Sequence, residues 1–274
     1  MTSLDGDVIR QLARDPLRQK LTRIEVFAEI DSTNSYLMQV PAPDPGELCV
    51  AVTRNQTAGR GRHGKTWQSP PGSGLCLSAA YTFTSPPKDL PALTLAVGLG
   101  AMDALEKLGA QGIGLKWPND LMALDGKLAG ILTEVQQQSA DAVTVVTGIG
   151  VNVDLPSEFD SGPEADWARR VIDLKRVCDI LPSPESIAAE LVEHLLAVFI
   201  DFESSGFAAV ADRWSQYDWL LGRELIIDSV AEQITGVAAG VADDGALLVH
   251  TVESGICRVT SGTIVTVGER GVSS

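Results

Sequence analysis

Apolar positions along this chain repeat in two periods, and the places where the period changes lay out its organisation. Leu4, Val8, Ile9 and Leu12 fall on helical spacing and predict a short amphipathic helix over residues 3–14, ended near Pro16. Residues 24–30 read as a strand, and Asp31-Ser32-Thr33-Asn34 then forms a strand-to-helix junction rich in N-cap residues. Residues 48–53 and 74–82 are two more apolar strands. Between them lies a stretch with neither period. Residues 89–108 are apolar through Leu93, Leu95, Val97, Leu99 and Met102 and then amphipathic, which predicts a helix buried against a sheet. Pro118 and Asn119-Asp120 suit one turn, and Asp125-Gly126 suits a hairpin turn between two short apolar runs. That arrangement puts Lys116 and Lys127 at opposite ends of a compact β unit. Residues 143–153 make a further strand, and its Gly148 and Gly150 mark where a neighbour approaches the backbone closely.

The second half alternates again. Residues 155–166 are polar and loop-like, and a short helix is expected over 164–179. Ser183-Pro184-Glu185 carries the cap, N1 proline and early acid of a helix start. From there Ile187, Leu191, Leu195, Val198 and Phe202 form one buried stripe. Another helix is expected over 207–217. Beyond Gly222 the period shortens to strands over 224–229, 233–241, 246–252 and 256–260, with Asp244-Gly245 as a turn. These read as a small barrel or sandwich appended to the main α/β unit, with the boundary at Leu221-Gly222, so that 1–221 and 222–274 form two domains.

Composition narrows the function. The 274 residues include 21 Lys plus Arg against 36 Asp plus Glu, a formal charge of −15, which disfavours broad attraction to nucleic acid or an anionic membrane. Cys49, Cys76, Cys178 and Cys257 are widely spaced, and the three histidines do not cluster with them, so neither a disulfide framework nor a metal site is indicated. The first fifteen residues hold five charges and no apolar core of a signal peptide, and no apolar run is long enough to span a bilayer, so a cytoplasmic location is expected.

Against that acidic background stands the stretch without a period, Gln56-Thr-Ala-Gly-Arg-Gly-Arg-His-Gly-Lys-Thr-Trp67. Gly59, Gly61 and Gly64 make the backbone pliable, while Arg60, Arg62 and Lys65 make it cationic. Guanidinium forks and close backbone N–H groups suit a phosphate or carboxylate, so the loop reads as one ordered by a small anion. Neither the phosphate-loop pattern nor the dinucleotide fingerprint is present.

Five motifs in order, Asp31-Ser32-Thr33-Asn34, Gln56 to Gly64, Lys116-Trp117-Pro118-Asn119-Asp120, Gly126-Lys127-Leu128-Ala129-Gly130-Ile131-Leu132 and Gly148-Ile149-Gly150-Val151-Asn152, resemble those of the biotin protein ligases. The resemblance spans roughly residues 24–268. It implies an α+β catalytic domain with a mixed or antiparallel sheet and flanking helices, related to class II aminoacyl-tRNA synthetases, plus a C-terminal SH3-like barrel. It also implies ATP and biotin as substrates, magnesium with the ATP, and transfer of biotin to a lysine of a biotin carboxyl carrier protein.

By the same resemblance Ser32, Thr33, Gln56, Gly59, Arg60, Arg62, Lys127 and Gly130 would hold biotin, and Arg60, Arg62, Trp67, Asn119, Lys127 and Asn152 would hold ATP or the adenylate. Lys127, Arg62 and Asp120 would be catalytic, and residues 58–66 would close as a lid. Taken singly, Ser32 and Thr33 also suit capping, Trp67 core packing, Lys127 a solvated hairpin and Asp120 a capped turn. About twenty residues precede the first strand, which leads us to expect a ligase without an N-terminal DNA-binding domain and without DNA binding; a homodimer is compatible with it. A lipoyl or octanoyl ligase of the related fold, or a sensor lacking chemistry, are the competing readings.

Overall fold

The computed structural model describes residues 4–14, 17–138, 142–157, 159, 170–229 and 232–270. In chain order the elements are α1 (Gly6–Leu12), α2 (Leu17–Lys20), β1 (Leu21–Phe27), α3 (Thr33–Gln39), β2 (Leu48–Thr53), β3 (Gly74–Phe83), α4 (Leu93–Lys107), β4 (Gly114–Lys116), β5 (Asp120–Ala123), β6 (Gly126–Gln138) and β7 (Val143–Asn152). There follow α5 (Leu174–Val177), α6 (Pro184–Ser205), α7 (Ala208–Gln216), β8 (Arg223–Asp228), β9 (Gln233–Val241), β10 (Leu247–Thr251), β11 (Gly255–Val259) and β12 (Thr263–Arg270).

Strands β1 to β7 form one mixed sheet in the order β1-β2-β3-β7-β6-β5-β4. Only β1 and β2 run parallel; β2 and β3, and every pair beyond, are antiparallel. Period-2 alternation sorts the strand residues onto two faces. One face, with Val50, Leu77, Tyr81, Val145 and Ile149, is packed by Leu99 and Met102 of α4 and by Leu191, Leu195 and Phe199 of α6. Phe199 stacks on Tyr81 at 5.0 Å between ring centroids, which anchors α6 to the middle of the sheet. The opposite face carries only a small cluster around Leu37 of α3 with Cys49, Ala51, Ala80 and Val146. That leaves the rest of this face open beside α3.

The caps follow the sequence. Ser32 accepts from Ser35 N at the start of α3, and Ser183 accepts from Ser186 N at the start of α6. Boundaries shift where pairing decides them: β1 runs over Leu21–Phe27 rather than 24–30, because its partner β2 stops at Thr53, opposite Phe27. The first helix is held to Gly6–Leu12 by an Asp5 cap. The hairpin turn lies one residue earlier than Asp125-Gly126 suggests. Leu124 and Asp125 take the left-handed φ values of 46° and 58°, and Gly126 already pairs with Ala123. Gly126 is required for space instead, since a Cβ there would lie 3.1 Å from Ile172 and Val171 atoms. Of the helix expected over 164–179, residues 164–169 lie outside the described residues, and the described remainder shows only the single turn α5.

The last five strands form a separate antiparallel sheet in the order β11-β10-β9-β8-β12. Strand β12 was not expected from the sequence; its apolar residues are spread between Gly262 and Gly268, and pairing with β8 is what extends it. The sheet is tied to the first through Trp117, whose indole N–H donates to the Gly245 carbonyl at 3.0 Å. Among the described residues no helix is long and apolar enough to cross a membrane.

Candidate active site

Register places the site. One cross-strand row runs Cys76 (β3), Gly150 (β7), Gly130 (β6), Asp120 (β5) and Lys116 (β4). The row two residues away along the strands runs Ser78, Gly148 and Leu132. Both lie on the face that α3 leaves open, and a cavity of about 670 Å³ sits over them. That volume suits a small-molecule ligand.

The glycines in these rows are room for neighbours. A Cβ on Gly150 would run into the Trp67 indole, 2.7 Å from Cζ2 and Nε1, and one on Gly130 would lie 3.0 Å from Trp67 Cζ3 and 3.1 Å from Lys127 Nζ. Trp67 therefore lies flat in a trough floored by two glycines. A Cβ on Gly148 would collide with the Asn34 amide and come within 3.2 Å of Ser78 Oγ. The close approach expected at Gly148 and Gly150 is thus made by Asn34 and Trp67.

The end of the cavity beside α3 is polar and neutral. Thr33 donates from both its backbone N (2.8 Å) and its Oγ1 (3.1 Å) to Gln56 Oε1. Ser78 Oγ lies 2.7 Å from Thr33 Oγ1 and 2.6 Å from Asn34 Oδ1. Asn34 Nδ2 in turn donates to the Leu132 carbonyl at 3.2 Å and to Glu134 Oε2 at 3.1 Å. Ser32, Thr33, Asn34 and Ser78 are all buried, as a fixed hydrogen-bonding surface requires. Cys76 lines the same wall, and burial pushes its thiol up to about 12, so it packs as a neutral group.

The other end is charged. Lys127 Nζ lies 2.6 Å from Asp120 Oδ1, and Lys116 Nζ lies 3.7 Å from Asp120 Oδ2. Lys116 and Lys127, expected at opposite ends of the β unit, meet here because β5 is only four residues long and both long side chains reach its first residue. Burial alone would raise the Asp120 carboxyl, but Lys127, Lys116 and Arg62 outweigh it and hold it below the usual carboxylate range. Burial pulls Lys116 down to about 8, with Asp120 opposing and Lys127 and Lys65 assisting. Burial also lowers Arg62, against the pull of Asp120. Lys127 stands 5.4 Å from the Trp67 ring centroid, so the aromatic trough and the cation cluster adjoin.

The backbone of Lys127 is fixed from two sides. Its N–H donates to the Arg170 carbonyl, and its own carbonyl accepts from Ile172 N and from Asn152 Nδ2. Asn152 also donates to the Ile172 carbonyl, and Asn119 Nδ2 donates to the Ile131 carbonyl at 2.7 Å. Both asparagines line the cavity while their amide donors hold its walls.

The glycine-cation stretch is a small hairpin at the cavity mouth, closed by Trp67 N to Gly59 O and by Gly61 N to Lys65 O. Gly59 is buried at its base, and His63 and Gly64 form its left-handed tip with φ of 53° and 73°. Arg62, Lys65 and Trp67 line the cavity. Arg60 also lines it, but both terminal nitrogens of its guanidinium bond Glu134, at 3.0 and 2.6 Å. Asn34, Ser78, Gly262, Thr263 and Ile264, not expected from the sequence as site residues, complete the lining, and Glu134, also not expected, bonds Arg60 and Asn34. Register brings Ser78 forward, whereas Asn34 arrives on α3 and Gly262 to Ile264 with the second sheet.

A neutral hydrogen-bonding end joined to a cationic end over an open sheet face suits a small ligand with a polar head and an anionic group, and the relatives of this chain are ligases. The chain belongs to the biotin/lipoate A/B protein ligase family, whose model matches residues 26–152. The Bifunctional ligase/repressor BirA of Escherichia coli is 35% identical over 83% of this chain and 69% of its own length. The Biotin--[acetyl-CoA-carboxylase] ligase of Mycobacterium tuberculosis is 32% identical over 82% of each chain. Among solved structures, the biotin protein ligase from Aquifex aeolicus in complex with biotin and ATP superposes with a TM-score of 0.70 at 26% identity, covering 90% of this chain and 97% of that one.

Proposed function

We propose that this chain joins biotin to ATP, giving biotinyl-5′-AMP and pyrophosphate, and then passes the biotinyl group to a lysine of a biotin carboxyl carrier protein. The observation that carries the reading is the pairing of one neutral polar pocket with one cation cluster inside a single cavity.

In the first step a carboxylate oxygen bonds to the α-phosphorus while the bond to pyrophosphate breaks. Two anions brought to about 4 Å repel by roughly 4 kcal/mol at an effective dielectric near 20, so nearby cations must offset that repulsion. Lys127, its backbone bonded on both sides, would do this, and Arg62 would assist from the loop. Asp120, between two lysines, holds Lys127 in place before substrate arrives. The ureido head of biotin suits the Ser32, Thr33 and Gln56 end, and the adenine suits the Trp67 trough between Asn119 and Asn152. In the second step the carrier amine bonds to the acyl carbon, AMP leaves, and the amine proton passes to Asp120.

Closure of residues 58–66 would keep water from the mixed anhydride. Magnesium would come with the ATP phosphates, as it usually does where it binds through substrate phosphates. On this reading residues 222–274 form a C-terminal SH3-like domain whose Gly262 to Ile264 edge closes the cavity, the enzyme is cytoplasmic, and a homodimer is compatible with it.

Incubation with ATP, labelled biotin or labelled lipoate, and an apo carrier domain tests the reading. Label from biotin, and not from lipoate, should appear on the carrier. Transfer of lipoate would make it a lipoyl ligase, and binding without transfer of either label would make it a sensor.

A further inference from the structure

We propose that Glu134 is a positioning residue of this site: by gripping Arg60 it anchors the glycine-cation loop and ties it to the neutral pocket. The proposal rests on the ligase reading for its kinetic part and on geometry for the rest.

Glu134 lies on β6, four residues beyond Gly130, on the face that carries the cavity. Its two carboxylate oxygens take both terminal nitrogens of Arg60, the fork-to-fork geometry of the strongest ion pairs. The same Oε2 accepts from Asn34 Nδ2, and Asn34 continues through Ser78 to Thr33 and Gln56. One continuous set of hydrogen bonds thus runs from the loop into the pocket where the ligand head would sit. The Glu134 side chain keeps only 21% of its surface exposed against 44% for Arg60, so the rigid partner is the strand and the flexible one is the loop.

Arg60 is the second residue after Ala58, whose N–H donates to the Asp31 carbonyl. Within the loop Gly61 N donates to Lys65 O and Lys65 N donates to Arg62 O, while Arg60 joins the loop to β6 through Glu134. Release of Arg60 therefore removes this link between the loop and β6, and with it one constraint on the position of Arg62. A consequence separates the two arginines. Arg62 is available to the bound anion, whereas the Arg60 guanidinium works on Glu134.

The experiment compares wild type, Glu134→Gln, Glu134→Asp, Arg60→Glu and the reversed pair Arg60→Glu with Glu134→Arg. The measurements are the rate of trypsin cleavage at Arg62 and Lys65 in the ligand-free protein, and KM for biotin and kcat for pyrophosphate release. Glu134→Gln should speed cleavage about fivefold and raise KM for biotin about tenfold, equivalent to about 1.4 kcal/mol, with kcat within threefold. Glu134→Asp should retain most of the wild-type behaviour, and the reversed pair should recover at least half of what Arg60→Glu loses. Unchanged cleavage and KM in Glu134→Gln would overturn the proposal. So would a reversed pair no better than Arg60→Glu, which would place Arg60 on the ligand. If Glu134→Gln does not fold, the reversed pair and Glu134→Asp decide. If wild type activates neither biotin nor lipoate, the ligase reading falls, and the cleavage rates still decide whether Glu134 anchors the loop.

Discussion

If adenine stacks on Trp67 as proposed, replacing Gly150 by alanine should damage that end of the site and leave the other end intact. A Cβ at position 150 would meet the Trp67 indole, at 2.7 Å from Cζ2 and Nε1, where carbon atoms rest at about 3.5–4.0 Å. The backbone of β7 is paired on both sides, with Cys76 and Gly130, so it is the indole that must move, by about 1 Å. Overpacking of this kind costs about 1–3 kcal/mol. If a stacked base loses most of its contact, KM for ATP rises about tenfold or more, since 1.4 kcal/mol is a factor of ten. Gly148→Ala is the matched control. Its Cβ would displace the Asn34 amide from Ser78, breaking one or two buried hydrogen bonds of about 1 kcal/mol each, and KM for biotin should rise about tenfold. Steady-state pyrophosphate release with each substrate varied in turn reads both constants. The argument fails if Gly150→Ala raises the biotin constant as much as the ATP constant, or if the two variants behave alike.

Two further outcomes follow from the charged end. Lys127→Met should lower the rate of pyrophosphate release by about 10²–10³, the usual effect of removing one charge-stabilising group, with biotin affinity changed far less; a rate within threefold of wild type would remove Lys127 from the mechanism. Lys116, drawn down to about 8 by burial and facing Asp120, Lys127 and Lys65, loses its charge as pH rises through that value. If that charge supports the anionic substrates, kcat/KM for ATP in wild type should fall above pH 8, and in Lys116→Met it should be low and flat over pH 7–9.5. A wild-type limb that survives unchanged in Lys116→Met would assign it to another group.

The sequence by itself determined the elements and much of the site's chemistry. Strand β2, the cap and stripe of α6 and the early strands of the second sheet follow from period and punctuation, because those signals are local. The same locality made the Arg60 to Lys65 loop, Lys116, Asp120 and Lys127 visible as charges in an acidic chain. What tertiary structure decided is which of them meet. Register across β3, β7, β6, β5 and β4 aligns residues as far apart in the chain as Cys76 and Asp120 into one row, and no local pattern carries register between distant strands. Register therefore explains why Gly148 and Gly150 had to be glycine and why two lysines share one aspartate, and the folding of the loop over β6 is what brings Arg60 to Glu134.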